Sequence, residues 1–517
     1  MNFITSQERV YPSVFIAPTI DLTSFIVPNE KGVIGLIAKL PFGNPHYPVI
    51  LKSSPSYAKT TLLSKGGIQE NEAIYHINDF FSTFNGKMSI GRLLGTESKT
   101  KVLEVKKVGT DFELDDTAEI NIFGANNIKD WQDTVATGLL EIVINTCISE
   151  KHTIEIKKEG TKVSVKLYDI NGGEIYKVSG DVAYDSVDDS GTPDYIGDLS
   201  DPKIITVKTL PTHADIAEDF SIVKTFENGL VTETGTLGYD NAIKKIESTI
   251  ETTDYIITAG LRDVDAIKKM GILAKEHKNL FVIDLYGNTK EDVKTLKTSL
   301  NLNNEFVTFI WNREKDVFKR GGSQNIGLSG WYVGACWVRN LKEIRGDIES
   351  RLLEGIMMQD YPIPREKEGE LEVLSSDDKT FLYKERINPV AIQDGKLVMF
   401  DILSGNPKSQ TTAFFPVVEG KYFIDRYITR LLITRMGKNA TDSREYVERQ
   451  VRTLFRKLDG NKYFSRETGA GEGTNYQFAV TVKDYDTIKV DYQYVPNTII
   501  RRGYIQGSIV GSIEQKV

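Results

Sequence analysis

Cysteine is nearly absent: Cys147 and Cys336 are the only two in 517 residues, far apart and in no CxxC or other metal-ligand spacing. That excludes a disulfide framework or a clustered-thiolate metal site, and both are expected to be buried thiols. The five histidines, His46, His76, His152, His213 and His277, are scattered, and none belongs to HExxH or to a pair at metal-binding spacing. No window approaches the ~18 uninterrupted apolar residues of a membrane span. A basic excess is missing too. The net charge of -8 favours solubility and argues against a nucleic-acid binder, which needs clustered cations for its phosphate contacts. Met1 to Arg9 lacks the basic start, apolar stretch and small-residue cleavage site of a secretory signal, so the chain is expected to stay where it is made.

Phosphate-binding and nucleophile motifs fail on closer reading. Gly469-Ala470-Gly471-Glu472-Gly473 lacks the Lys-Ser/Thr that completes a P-loop, and reads as a linker. Gly327-Leu328-Ser329-Gly330 resembles a nucleophile elbow but has the wrong spacing to its second glycine, and reads as a loop. Asp284, at the carboxyl end of a parallel strand, is the one carboxylate placed where α/β enzymes carry chemistry. No catalytic, metal or cofactor-binding residue is assigned.

What the chain has is strand, above all at its ends. Ile488, Val490, Tyr492 and Tyr494 alternate with Lys489, Asp491 and Gln493, and a second apolar stretch runs from Ile499 to Ile513. Val14-Phe15-Ile16 near the other terminus also reads as extended. Such strands leave rows of backbone N–H and C=O groups that need partners, and no local hairpin is evident for either.

Between the ends the pattern divides. Lys101 to Val182 is strand-rich, with Lys162 to Tyr168 expected to pair back on Glu174 to Val178 through Asn171-Gly172. The stretch Asp181 to Pro202 gathers aspartates among turn formers and reads as a solvated loop or, less in keeping with its spacing, a calcium site. A strand-helix-strand rhythm follows, with Tyr255 to Thr258, a helix capped by Asp263, and Leu280 to Asp284, which implies parallel pairing with a right-handed crossover. Helical spacing is read over Trp337 to Met358 and Tyr427 to Met436, and in a helix opened by Asp442 and Glu445. That last helix buries Val447, Val451, Leu454, Phe455 and Leu458 on one face and shows Arg444, Arg449, Arg452, Arg456 and Lys457 on the other, a solvated face or one that meets an acidic partner.

The order of these segments resembles the contractile tail sheath proteins of bacteriophages and related phage-tail-like particles. The resemblance rests on Tyr11-Pro12-Ser13-Val14-Phe15-Ile16, Gly32 to Ala38, Pro41 to Pro45, Ile256 to Asp263, Phe281 to Asp284, and Ile387 to Val390 followed by Gly395 to Asp401. Tyr422 to Arg435 and Val495-Pro496 complete it. One departure is Asp401-Ile402-Leu403-Ser404-Gly405, where many members carry Gly-x-Arg-Thr.

The resemblance implies a mixed α+β and α/β multidomain protein. Its parts would be an N-terminal arm (1–27), a discontinuous α/β middle domain (28–95 and 205–345), a β-rich outward-facing insertion (96–204), a C-terminal α+β domain (346–486) and a C-terminal arm (487–517). It implies a structural subunit, without enzymatic activity or cofactor, in the virion tail after assembly in the host cytoplasm. Its partners would be further copies of itself, an inner tube protein, and baseplate and tail terminator proteins, with no direct nucleic-acid contact and no membrane insertion. Val14, Phe15, Ile16, Ile488, Val490, Tyr492, Tyr494 and Ile500 are the candidate inter-subunit strand residues, and Arg449, Arg452 and Arg456 candidate lattice or tube contacts. An α/β enzyme with a pocket near Asp284, and a non-contractile tube or surface-array protein, are the competing readings.

Overall fold

The computed structural model describes residues 33–52, 72–145 and 151–209 with short breaks, 218–312 with short breaks, 327–334, 375–406 with short breaks, 412–460, 464, 476–483 and 487–496. The cysteines, Val14, Phe15, Ile16, Ile500 and the helix read over 337–358 lie outside these residues. Backbone contacts divide the chain into two units, one of 1–338 and 355–436 and one of 339–354 and 437–517.

The first unit is organised by an eight-stranded sheet. Its strands are β1 (Val33–Ala38), β2 (Val49–Leu51), β3 (Lys87–Arg92), β12 (Thr253–Ile257), β13 (Leu280–Leu285), β14 (Val307–Trp311), β15 (Asn388–Gln393) and β16 (Lys396–Met399). Six run parallel in the order β15-β14-β13-β12-β1-β3, with β16 and β2 antiparallel at the two edges. Strands β1, β12, β13 and β14 are buried along their length and mostly apolar, the pattern of a parallel sheet covered on both faces.

Helices α4 (Thr236–Glu247), α5 (Val264–His277), α6 (Lys290–Leu300) and α7 (Ser376–Lys384) share one apolar layer with Ile37, Ile256, Phe281, Ile283, Val307 and Phe309. Strand alternation turns the intervening residues, Tyr255, Val282 and Asp284, to the opposite face. There they meet α1 (Ala73–Thr83), a helical turn at 329–334 and α8 (Phe415–Ile433). Asp263 caps α5 as its sequence predicts, accepting from the Ala266 N–H at 2.7 Å.

The β-rich insertion is two four-stranded antiparallel sheets. One has the order β10-β6-β4-β5 and the other β11-β7-β8-β9, from β4 (Lys99–Val108), β5 (Asp111–Asn121), β6 (Leu140–Ile144), β7 (Lys151–Glu159), β8 (Lys162–Tyr168), β9 (Glu174–Asp181), β10 (Ile205–Thr209) and β11 (Phe220–Glu227). Strands β8 and β9 form the anticipated hairpin, with Gly172 at φ +80° in its turn. Two short helices, α2 (Ile128–Gln132) and α3 (Ile196–Leu199), lie within the insertion.

Two predicted boundaries move. The insertion does not close at 204, because β10 and β11 pair with β6 and β7 and its sheets therefore end at 227. Strands β15 and β16, assigned to a C-terminal domain of 346–486, instead extend the central sheet, because β15 pairs in parallel with β14.

The second unit contains α9 (Ala440–Gly460) and an antiparallel pair, β17 (Tyr476–Lys483) and β18 (Thr487–Tyr494). Val447, Val451, Leu454, Phe455 and Leu458 are all buried, as the helical spacing predicts. The cap differs from the capping box read at Asp442: the Asn439 side chain accepts the N–H groups of Thr441 and Asp442 at 2.9 and 3.1 Å, so the helix starts one turn earlier.

Candidate functional site

Strand order reverses between β1 and β12, and in such sheets the crevice beyond the carboxyl ends of those strands is where ligands bind. Here that edge is filled by the protein's own polar side chains. Asp284 is 1 % exposed, and its Oδ1 accepts the N–H groups of Leu328 and Ser329 at 2.7 and 3.0 Å. Its Oδ2 accepts the Ser329 hydroxyl at 2.5 Å and the Thr258 hydroxyl at 3.3 Å.

Glu72, just before α1, occupies the neighbouring position. Its Oε1 accepts the Gly327 N–H at 2.6 Å and the Tyr286 hydroxyl at 2.7 Å, and its Oε2 pairs with Arg262 at 3.2 Å. His76, one turn along α1, is wholly buried between the two carboxylates. Its Nε2 lies 3.5 Å from Glu72 Oε1 and 3.8 Å from Asp284 Oδ2, while its Nδ1 accepts the Gly330 N–H at 3.1 Å.

The glycines of Gly327-Leu328-Ser329-Gly330 are explained by this crowding. A Cβ on Gly327 would stand 2.3 Å from the Asp284 carboxyl carbon, and one on Gly330 2.3 Å from the His76 carbonyl oxygen. The segment that resembles a nucleophile elbow is thus the start of the 329–334 turn, whose first N–H groups are capped by Asp284 and His76 in place of a local residue. Ser329 is fully buried and donates to a carboxylate, so it is not presented to a substrate.

Electrostatics follow the crowding. Burial would lower the His76 titration, but Asp284 and Glu72 outweigh it and hold it above the ordinary value. Burial pushes Asp284 up despite His76 and Ser329. Glu72 is lowered: burial opposes its charge, and His76, Gly327 and Tyr286 together overcome that. Burial beside both carboxylates pushes the Tyr286 phenol well up.

A second buried network attaches α8 to the sheet. Glu419 Oε1 accepts the hydroxyls of Tyr255 and Tyr332 at 2.8 and 3.0 Å, and Arg426 pairs with Asp254, which also accepts the Val33 N–H at 3.1 Å. Among the described residues, no group of three or more His, Cys, Asp or Glu is placed to hold a metal ion, and no helix is long and apolar enough to cross a membrane.

In the second unit the candidate strand residues of the C-terminal segment come together, but with a local partner. Ile488, Val490, Tyr492 and Tyr494 lie opposite Val482, Val480, Phe478 and Tyr476 of β17. Phe455 of α9 packs on Phe464, Tyr476, Phe478 and Tyr492, with ring centroids 5.2–5.6 Å apart. The expectation that this strand lacks a hairpin partner is therefore corrected: one edge of β18 is paired within the chain, and its aromatic face completes a core with α9. The other edge of β18 carries no further strand among the described residues.

The arginines project from α9 as the helical pattern predicts. Arg449, Arg452 and Arg456 are exposed. Arg452 pairs with Glu448 at 2.7 Å and lies over the Phe478 ring, and Arg449 lies over the Tyr446 ring.

No family model matches the chain, and no curated protein is matched by its sequence. Solved structures do match. A sheath tail protein from Desulfitobacterium hafniense superposes with a TM-score of 0.50 at 10 % identity, covering 94 % of this chain and 100 % of that one. The sheath of an extracellular contractile injection system, PVC, in its contracted state superposes with a TM-score of 0.50 at 9 % identity, covering 98 % of this chain and 99 % of that one. The chain has the fold of contractile sheath proteins, and its resemblance to them extends over nearly its whole length.

Proposed function

We propose that this chain is the subunit of a contractile sheath, which polymerises helically around an inner tube and contracts once to drive the tube through a target envelope. The observation that carries this reading is the end-to-end fold likeness to two sheath proteins. At the strand ends where an α/β enzyme would hold a substrate, Glu72, His76 and Asp284 are engaged with one another and with the 327–330 segment, which favours the structural reading over an enzyme with a pocket near Asp284. With no nucleotide cycle in the proposal, the work comes from assembly: an extended lattice is trapped above a more extensively contacted contracted one.

In this reading the edges of the β17–β18 pair, which carry no further strand among the described residues, take strands from neighbouring copies, supplied by Val14-Phe15-Ile16 and by the segment containing Ile500. Backbone hydrogen bonds would link the subunits while alternate side chains set the register. A contact between two different surfaces propagates as an open helix. Arg449, Arg452 and Arg456 would then meet acidic surfaces of the lattice or tube. Baseplate and tail terminator proteins would bound the polymer, in a virion tail assembled in the host cytoplasm, without direct nucleic-acid contact or membrane insertion.

Negative-stain electron microscopy of the purified protein, alone and mixed with its inner tube protein, tests the reading. Sheath-like cylinders are expected. Monodisperse small particles under both conditions, across protein and salt concentrations, would overturn it.

A further inference from the structure

The hydrogen bonding of His76 conflicts with its electrostatics, and the conflict defines a switch. The Gly330 N–H can only donate, so His76 Nδ1 must be bare where it accepts that bond, and the ring proton sits on Nε2. Nε2 points between two carboxylates, Glu72 and Asp284, which favour a second proton on the ring. A second proton has only Nδ1 to go to. There it would face the Gly330 N–H donor directly and remove its acceptor. The Ser329 hydroxyl oxygen, 3.3 Å from Nδ1, is the group able to accept the new N–H.

We propose that His76 is a proton-operated cap: its neutral ring holds Gly330 at the entry of the 329–334 turn, and protonation at Nδ1 releases that amide while Asp284 keeps Leu328 and Ser329. Among the described residues, titratable and polar groups face His76 from each packed element. They are Glu72 just before α1 and Asp79 on it, Asp284 and Tyr286 from β13 and its end, Ser329 from the turn, and Arg262 across Glu72.

Two effects of opposite sign follow. Burial would lower the titration, but Asp284 and Glu72 raise it above the ordinary 6.5, so release occurs on the alkaline side of that value. A raised histidine stabilises the fold as a whole below 6.5, a contribution lost as pH rises through the raised value. The Gly330 bond runs the other way, present above the titration and absent below it. Acidification should therefore loosen one amide without unfolding the unit. The inference concerns the sheet edge of a single subunit and does not depend on sheath assembly.

Hydrogen exchange of the full-length chain, read at single-amide resolution from about pH 5 to pH 9 and corrected for intrinsic exchange, tests it. Protection of Gly330 is expected to fall on acidification, by up to about tenfold per pH unit below the titration, while Leu328 and Ser329 keep theirs. Glu72→Gln retains an oxygen to accept from Gly327 and Tyr286 but removes one of the charges favouring imidazolium. It is expected to move the Gly330 midpoint to lower pH by roughly one unit. Constant Gly330 protection over the range, or loss in step with Leu328 and Ser329, overturns the proposal. An unmoved midpoint in Glu72→Gln also overturns it. If that variant does not fold, the divergence of Gly330 from its two neighbours in the unaltered protein decides alone.

Discussion

Phe455 of α9 and Tyr492 of β18 meet edge to face, with ring centroids 5.6 Å apart and planes at 67°. This contact makes the last described strand part of the chain's own core. A truncation at 487 would remove β18 and open the aromatic cluster, whereas one at 497 would keep Phe455, Phe464, Tyr476, Phe478 and Tyr492. Deleting 487–517 is therefore expected to produce a protein whose second unit loses its cooperative unfolding transition, and deleting 497–517 one that keeps it. Denaturant unfolding followed by tyrosine fluorescence distinguishes the two. Equal stability of both truncations would show that β18 contributes no core.

The buried Arg426–Asp254 pair ties α8 to β12. Removing one partner strands a buried charge, so Arg426→Met is expected to cost about 3–5 kcal/mol in chemical denaturation. Adding Asp254→Asn, which can still accept from the Val33 N–H, should recover part of that loss. Simple additivity of the two costs would deny the coupling.

Gly330 has no room for a methyl group, because the His76 carbonyl lies where its Cβ would fall. Gly330→Ala must displace α1 or the 329–334 turn, at a cost of about 1–3 kcal/mol. Gly172→Ala provides a contrast: nothing stands within 4 Å of its Cβ, and only the positive φ resists, at a cost of about 1 kcal/mol. Thermal unfolding of the two variants should rank them in that order.

The parts of this structure visible in the sequence were those fixed by local period. Tyr255 to Thr258 and Leu280 to Asp284 read as buried parallel strands because they are short apolar runs separated by one amphipathic helix. The stripe of α9 is legible for the same reason. The β17–β18 hairpin is not, because Asp484-Tyr485-Asp486, between the strands, carries none of the Asn-Gly or Gly chemistry that marks a tight turn. The polar cluster is hidden by distance along the chain: Ser329 and His76 are 253 positions apart, and no spacing rule connects them. Its one local trace is the pair of glycines flanking Leu328-Ser329, which report close backbone approach rather than a nucleophile. Strands β10 and β11 fall beyond the boundary that the acidic loop suggests, because their partners, β6 and β7, precede that loop.

The central claim is contraction, and the number of lattice states tests it most directly. Helical reconstruction by cryo-electron microscopy should compare cylinders assembled on the inner tube with cylinders after release from it. The account predicts two lattices of the same subunit, one longer and narrower and one shorter and wider, joined by the same inter-subunit strands. A single lattice under both conditions would contradict it and would mark the chain as a non-contractile tube or surface-array protein.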